Sequence, residues 1–225
     1  MRRPGDTYFR HRFPNLIISE AIWLYYTFSL STDDVALLLL QRGITLSGES
    51  VRRWAQKFGP DFARQLKRRR PRVGDTWHLD ELVATINGVE HHVWRAVDQH
   101  GAILDILVQE RKDTEAATAF FNLLLAEYVV PDRIVTDQLA SYSAAKVQMM
   151  ALDDVKHVFV KSEARLNNIV ENSHQPTRRR EVAMLGFKSR EQAQTFLSSF
   201  DPIRQHFRPK KHQMRAGVLL QRFLP

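Results

Sequence analysis

The sequence predicts an α/β architecture: a mixed five-stranded sheet with flanking helices, preceded by a small all-α domain. Three observations carry that prediction. The stretch TWHLDELVATINGVEHHVWRAVDQHGAILDILV, residues 76–108, reads as three antiparallel strands joined by two tight turns. Asn87-Gly88 offers the positive φ values of a two-residue hairpin turn, and Gln99-His100-Gly101 a longer turn with glycine at a left-handed position. Helix and strand patterns alternate after this meander, whereas the chain before it shows helical periodicity alone.

Charge is divided along the same lines. Residues 1–74 carry 14 Lys+Arg against 6 Asp+Glu, residues 75–164 carry 7 against 15, and residues 165–225 carry 12 against 4. Basic flanks of this kind point to a polyanionic partner, double-stranded DNA most simply. The acidic middle would repel that partner unless bound cations intervene. With 44% hydrophobic and 26% charged residues the composition is globular. The absence of cysteine excludes disulfides and thiolate metal sites. No stretch reaches the ~20 apolar residues of a membrane span, and the Arg-rich start lacks the apolar core of a signal peptide. A cytoplasmic protein without membrane contact is the expectation.

Taken in order, residues 1–14 read as a flexible basic arm. Residues 15–28 follow a helical pattern through Ile18, Ile22 and Tyr25/Tyr26. Ser31-Thr-Asp-Asp34 has the form of a capping box ahead of VALLLLQR, and Gly43 ends that helix. Ser47 caps another, with Val51, Trp54, Ala55 and Phe58 on one face and Ser50, Arg52, Arg53, Gln56 and Lys57 on the other. Helix, short turn, helix with a basic outer face is the helix-turn-helix layout, whose second helix enters the major groove. An ordinary helical hairpin with a solvated face has the same spacing. Gly59-Pro60 predicts a break in the second helix. Lys67, Arg68, Arg69 and Arg70 then form a basic cluster, either touching phosphates without reading sequence or simply solvated. The helix-turn-helix domain is assigned to 15–70 and a linker to 71–75.

Beyond the meander, Asp113-Thr-Glu115 opens a helix to about Tyr128, and Arg133–Thr136 forms a short strand ending at Asp137. A helix over 139–150 and a strand over 155–160 follow. The helix RLNNIVENSH contains Glu171, and Pro176 predicts its kink or end. An amphipathic helix over 189–207 closes the domain assigned to 76–207, leaving a basic tail, 208–225.

The order β-β-β-α-β-α-β-α is that of the ribonuclease H-like fold, in which the fourth strand lies beside the first. Side chains alternate along a strand, so Trp77 and Leu79 face one way, His78 and Asp80 the other. Asp80 would then neighbour Asp137 at the rim, with helical Glu171 able to lie across it. Taken singly, Asp137 also reads as a helix N-cap and Glu171 as a surface residue. Three carboxylates at one point disfavour shared ionisation without counter-charge. Two Mg²⁺ ions about 3.5–4 Å apart supply it and promote in-line displacement at phosphorus, and Mg²⁺ asks only for oxygen ligands and water. His78 and His174 would border the site. A Glu-x-x-His di-iron centre needs two copies of that motif, and only one is visible. His91, His92 and His100 read as ordinary strand and turn residues.

The blocks WHLDE, INGVEHHVWRAVDQHGAILDILVQERKDTEAATAFF, VTDQLASY and RLNNIVENSHQPTRRRE closely resemble those of DDE transposases of insertion-sequence family six. The likeness extends back through VRRWAQKFGPDFARQLKRRRPRVGDTWH. It implies that Asp80, Asp137 and Glu171 are a catalytic, metal-binding triad, with Mg²⁺ replaceable by Mn²⁺. It matches Arg178, seven residues after Glu171, to a basic residue that meets DNA phosphate. It further implies replicative transposition in a bacterial, nucleoid-associated setting, by a homodimer or larger assembly that holds two DNA ends. Two departures stand outside these blocks: the acidic pair Asp153-Asp154 and the unusually apolar VALLLLQRG. Two other readings fit the same domains. One is a helix-turn-helix regulator with an inactive ribonuclease H-like domain; the other is a metal-dependent nuclease that cuts without joining.

Overall fold

The computed structural model describes residues 11–70, 72–137, 139–160 and 168–207, with 168–172 described by backbone alone. Most of the expected arm, the basic loop before Glu171 and the tail 208–225 lie outside the described residues. The chain forms two compact units. One comprises the described residues up to 70 with those from 199 onward; the other comprises residues 71–198.

In the first unit, α1 (Asn15–Thr27), α2 (Thr32–Leu40) and α3 (Gly48–Arg69) bury Ile18, Ile22, Val35, Leu39, Val51, Trp54 and Phe58 together. The capping box forms: Asp34 N donates to Ser31 Oγ at 3.0 Å and Ser31 N to Asp34 Oδ2 at 3.1 Å. Ser47 caps α3 by accepting from Ser50 N. Residues 11–14 lie against α3, with His11 edge-on to Phe58 and Phe13 edge-on to Trp54.

The expected break at Gly59-Pro60 does not occur; α3 continues through Pro60 for 22 residues. A proline inside a helix costs about 3 kcal/mol, and tertiary packing offsets it. Ala63 and Leu66 extend the buried face beyond the proline. The Tyr26 hydroxyl donates to the Ala55 carbonyl at 3.1 Å. Gly59 allows that approach, since a Cβ there would lie 2.6 Å from the Tyr26 oxygen. Lys67, Arg68 and Arg69 therefore occupy the last turn of α3, where positive charge complements the carbonyl end. The end of α7 (Arg190–Phe207) belongs to this unit because Phe207 stacks on Phe62 and lies edge-on to Trp23.

The second unit holds β1 (Thr76–Ile86), β2 (Val89–Asp98), β3 (Ile103–Gln109), β4 (Arg133–Thr136) and β5 (Lys156–Phe159) in the order β3-β2-β1-β4-β5. β1, β2 and β3 are antiparallel, with Asn87 and Gly88 at φ 48° and 80° in the first turn; β1, β4 and β5 are parallel. This is the mixed sheet of the ribonuclease H-like fold. On one face Trp77, Leu79, Trp94 and Ala96 pack against α4 (Thr114–Glu127) and α5 (Ala140–Val147) through Phe120, Phe121, Leu124 and Tyr142. On the other, Arg95 donates to the carbonyl of Ser173 and to Thr177 Oγ1 on α6 (Asn168–Ala183), both at 2.6 Å.

Those two bonds bracket Pro176, which neither ends nor divides α6. The expected stop does not occur here, because the helix is held from the sheet on both sides of the proline.

Candidate active site

The register of the sheet builds the site. β1 pairs with β4 only from Thr76 to His78, opposite Arg133 to Val135, and β4 ends at Thr136. From Asp80 onward, β1 has therefore lost its neighbour on that side, and the chain leaving β4 places Asp137 beside the freed edge. Asp80, Glu81 and Asp137 each offer a carboxylate oxygen, and these oxygens lie within 4.8 Å of one another. Asp137 Oδ1 also accepts from Leu139 N at 3.0 Å, fixing the turn into α5.

Asp80 lies on the α6 face, where its Oδ2 is 3.1 Å from His174 Nε2. The buried His174 thus borders the site as expected. Glu171 lies in the same helix, one turn earlier; its side chain is outside the described residues. His78 is buried on the Asp80 face of β1.

Glu81 was not picked out in the sequence. Alternation alone would have found it: it shares the face of Trp77 and Leu79, so it is an acid aimed into the core. Its side chain is 4% exposed and ion-paired to Lys112, and its Oε2 accepts from the Tyr142 hydroxyl at 3.1 Å. Burial pushes Glu81 above the ordinary carboxylate range, against the pull of Lys112. Burial also raises the Tyr142 hydroxyl well above its usual value, so it stays a donor. Arg95, opposite Asp80 in the β1–β2 register, was missed as well. A lone arginine on a strand carries no local sign of what it will meet.

The expected DNA-facing residues divide by position. Arg52, Arg53, Gln56 and Lys57 are exposed on α3, with Ser50 half-buried at its start. Glu49, unnoticed in the sequence, accepts from both Arg52 and Arg53, at 2.7 and 2.9 Å, and the two guanidiniums hold it at about 2. Lys57 Nζ is 3.2 Å from His11 Nε2. Arg68 and Arg69 are exposed, Lys67 and Arg70 half-buried. Arg178 is exposed on α6 and lines a groove with Val83, Thr85, Gly88, Glu181 and Lys188. That groove begins three residues beyond Asp80 along β1.

The family model described as a DDE domain matches residues 74–210. The chain belongs to the DDE transposase family. Its curated relatives in Staphylococcus aureus include the transposase for insertion sequence-like element IS431mec, 29% identical over 168 residues, or 74% of this chain and 75% of the relative. The transposase for insertion sequence element IS257 in transposon Tn4003 matches to the same extent. Among solved structures, the catalytic core of BIV integrase is similar with a TM-score of 0.45 at 13% identity, covering 66% of this chain and 95% of that one. No described helix of this DDE transposase is long and apolar enough to cross a membrane.

Proposed function

We propose that this DDE transposase is a polynucleotidyl transferase that cuts DNA at the ends of its own insertion sequence and joins the freed ends to target DNA. The observation carrying this reading is the convergence of Asp80 and Asp137 at the edge where β4 leaves β1. Oxygen donors at that spacing fit Mg²⁺ or Mn²⁺, which favour carboxylates and retained water. Asp80, Asp137 and, by family resemblance, Glu171 would hold the ions. When bound, a divalent pair supplies Lewis-acid stabilisation of the attacking and leaving oxygens.

The chain's own groups do the rest. His174 orients the Asp80 carboxylate through Nε2, and Arg95 fixes α6, hence the backbone carrying Glu171, against the sheet. In the cutting step, water attacks the scissile phosphorus, its proton passes to solvent, and the 3′-oxygen departs and becomes 3′-OH. In the joining step that hydroxyl attacks a target phosphorus and displaces a target 3′-oxygen. Arg178 and the basic face of α3 would contact phosphates of the duplex, with a homodimer or larger assembly holding two ends together.

Strand transfer in vitro tests this, using DNA bearing candidate ends and Mg²⁺. Wild type is expected to give joined molecules and Asp137→Asn none. Nicks without joining would indicate a nuclease, and end binding without any product a regulator. Joining that survives Asp137→Asn, or that needs no divalent ion, would overturn the mechanism.

A further inference from the structure

Glu81 poses a problem for the site just described. Three ligand carboxylates and one phosphate carry four negative charges, which two divalent cations balance. A fourth free carboxylate within 4.8 Å of Asp80 and Asp137 would upset that balance and add a ligand. Both oxygens of Glu81 are instead engaged: Oε1 by the Lys112 ammonium and Oε2 by the Tyr142 hydroxyl.

The two partners are held by rigid surroundings. Lys112 immediately precedes Asp113, whose side chain caps α4 by accepting from Ala116 N at 2.9 Å. Tyr142 is fully buried on α5, edge-on to Trp94 at 5.2 Å and to Phe121 at 6.1 Å. Glu81 itself is set by the β1–β2 pairing opposite Trp94. The arrangement leaves Asp80 and Asp137 available to a cation and keeps both oxygens of the nearby Glu81 occupied.

We propose that Lys112 sets the cation preference of this site by withholding the Glu81 carboxylate from it, with Tyr142 holding the second oxygen. Ca²⁺ takes six to eight oxygen ligands and tolerates bidentate carboxylates, whereas Mg²⁺ keeps several waters and uses one or two carboxylates. Freeing Glu81 would therefore favour Ca²⁺ over Mg²⁺. This inference rests on the site holding a divalent cation, as read above.

The test is calorimetric titration of the full-length protein with Ca²⁺ and with Mg²⁺, in the absence of DNA, with thermal unfolding followed in parallel. Lys112→Met is expected to tighten Ca²⁺ binding on the order of tenfold, with a smaller gain for Mg²⁺. Adding Glu81→Gln to Lys112→Met should return Ca²⁺ binding to the wild-type value, and Lys112→Arg should not leave it. A Lys112 residue that merely supported packing would lower the unfolding temperature without moving the Ca²⁺/Mg²⁺ ratio. Should Lys112→Met not fold, Glu81→Gln alone decides: an unchanged Ca²⁺/Mg²⁺ ratio supports the proposal, and a fall in that ratio overturns it because Glu81 would already be a ligand. A folded Lys112→Met with an unchanged Ca²⁺/Mg²⁺ ratio overturns it too. Wild type binding neither ion, like Asp80→Asn, would instead overturn the reading of the site as a cation centre.

Discussion

Glu49 and Glu81 are the same acid with similar partners, and they behave in opposite ways. On the surface of α3, Glu49 is exposed and clasped by two arginines one turn away, so it stays ionised down to about 2. In the sheet unit, Glu81 meets one lysine and one tyrosine from distant elements, and its carboxyl is nonetheless raised because burial outweighs the pull of the lysine. Water makes the difference. Where solvent screens a pair, an ion pair contributes little to stability and serves to adjust the charge shown to a partner. Where solvent is excluded, removing one partner leaves a charge uncompensated, and the cost is large.

The largest expected effect lies at the buried end. Asp137→Asn should abolish DNA joining while leaving DNA retardation in gels intact. Loss of both activities together would break the distinction between a binding unit and a reacting one. Next, Arg95→Met should lower the stability of the sheet unit by about 3 kcal/mol in urea unfolding, because two charge-assisted bonds to α6 disappear. It should also reduce joining more than end binding. An unchanged unfolding midpoint would show that α6 docks without it.

Tyr142→Phe sharpens the comparison by removing one oxygen from a well-packed ring. The expected loss is about 1–2 kcal/mol, since Glu81 keeps Lys112 but loses its other partner. The smallest stability effect belongs to Glu49→Gln, which should leave the unfolding temperature where it is. Its consequence is electrostatic: with Arg52 and Arg53 released, DNA affinity at low salt should rise and the salt dependence steepen by roughly one phosphate contact. The sign of the pH effect is set by the depressed value. Wild type should keep its clasp from neutrality downward and lose it only as pH falls toward about 2, so the difference between the two proteins should persist into mild acid. If Glu49→Gln weakens DNA binding, α3 does not present these arginines to phosphate.

Much was legible because it is written in short-range chemistry. Asn87-Gly88, the Ser31 capping box and the Asp113 cap act within four residues, and alternation along β1 put Asp80 on the face where His174 meets it. As helix stops, the two prolines misled for the complementary reason. Pro60 and Pro176 are local helix breakers, and the Tyr26 hydroxyl and the Arg95 guanidinium that accompany their toleration come from residues far along the chain. Glu81 stood next to Asp80 in plain sight, yet its meaning depended on Lys112 and Tyr142.

By itself, the sequence determined the element order, the division of charge and the candidate acids, since periodicity, caps and turn residues are local properties of the chain. Tertiary structure decided which acids meet, and on what terms. β4 stops at Thr136 while β1 runs on to Ile86, and that mismatch opens the edge where Asp80 and Asp137 converge. Burial then separates Glu81 from them in role though not in distance, because an acid's behaviour follows its solvent and partners, and both are set only when the chain has folded.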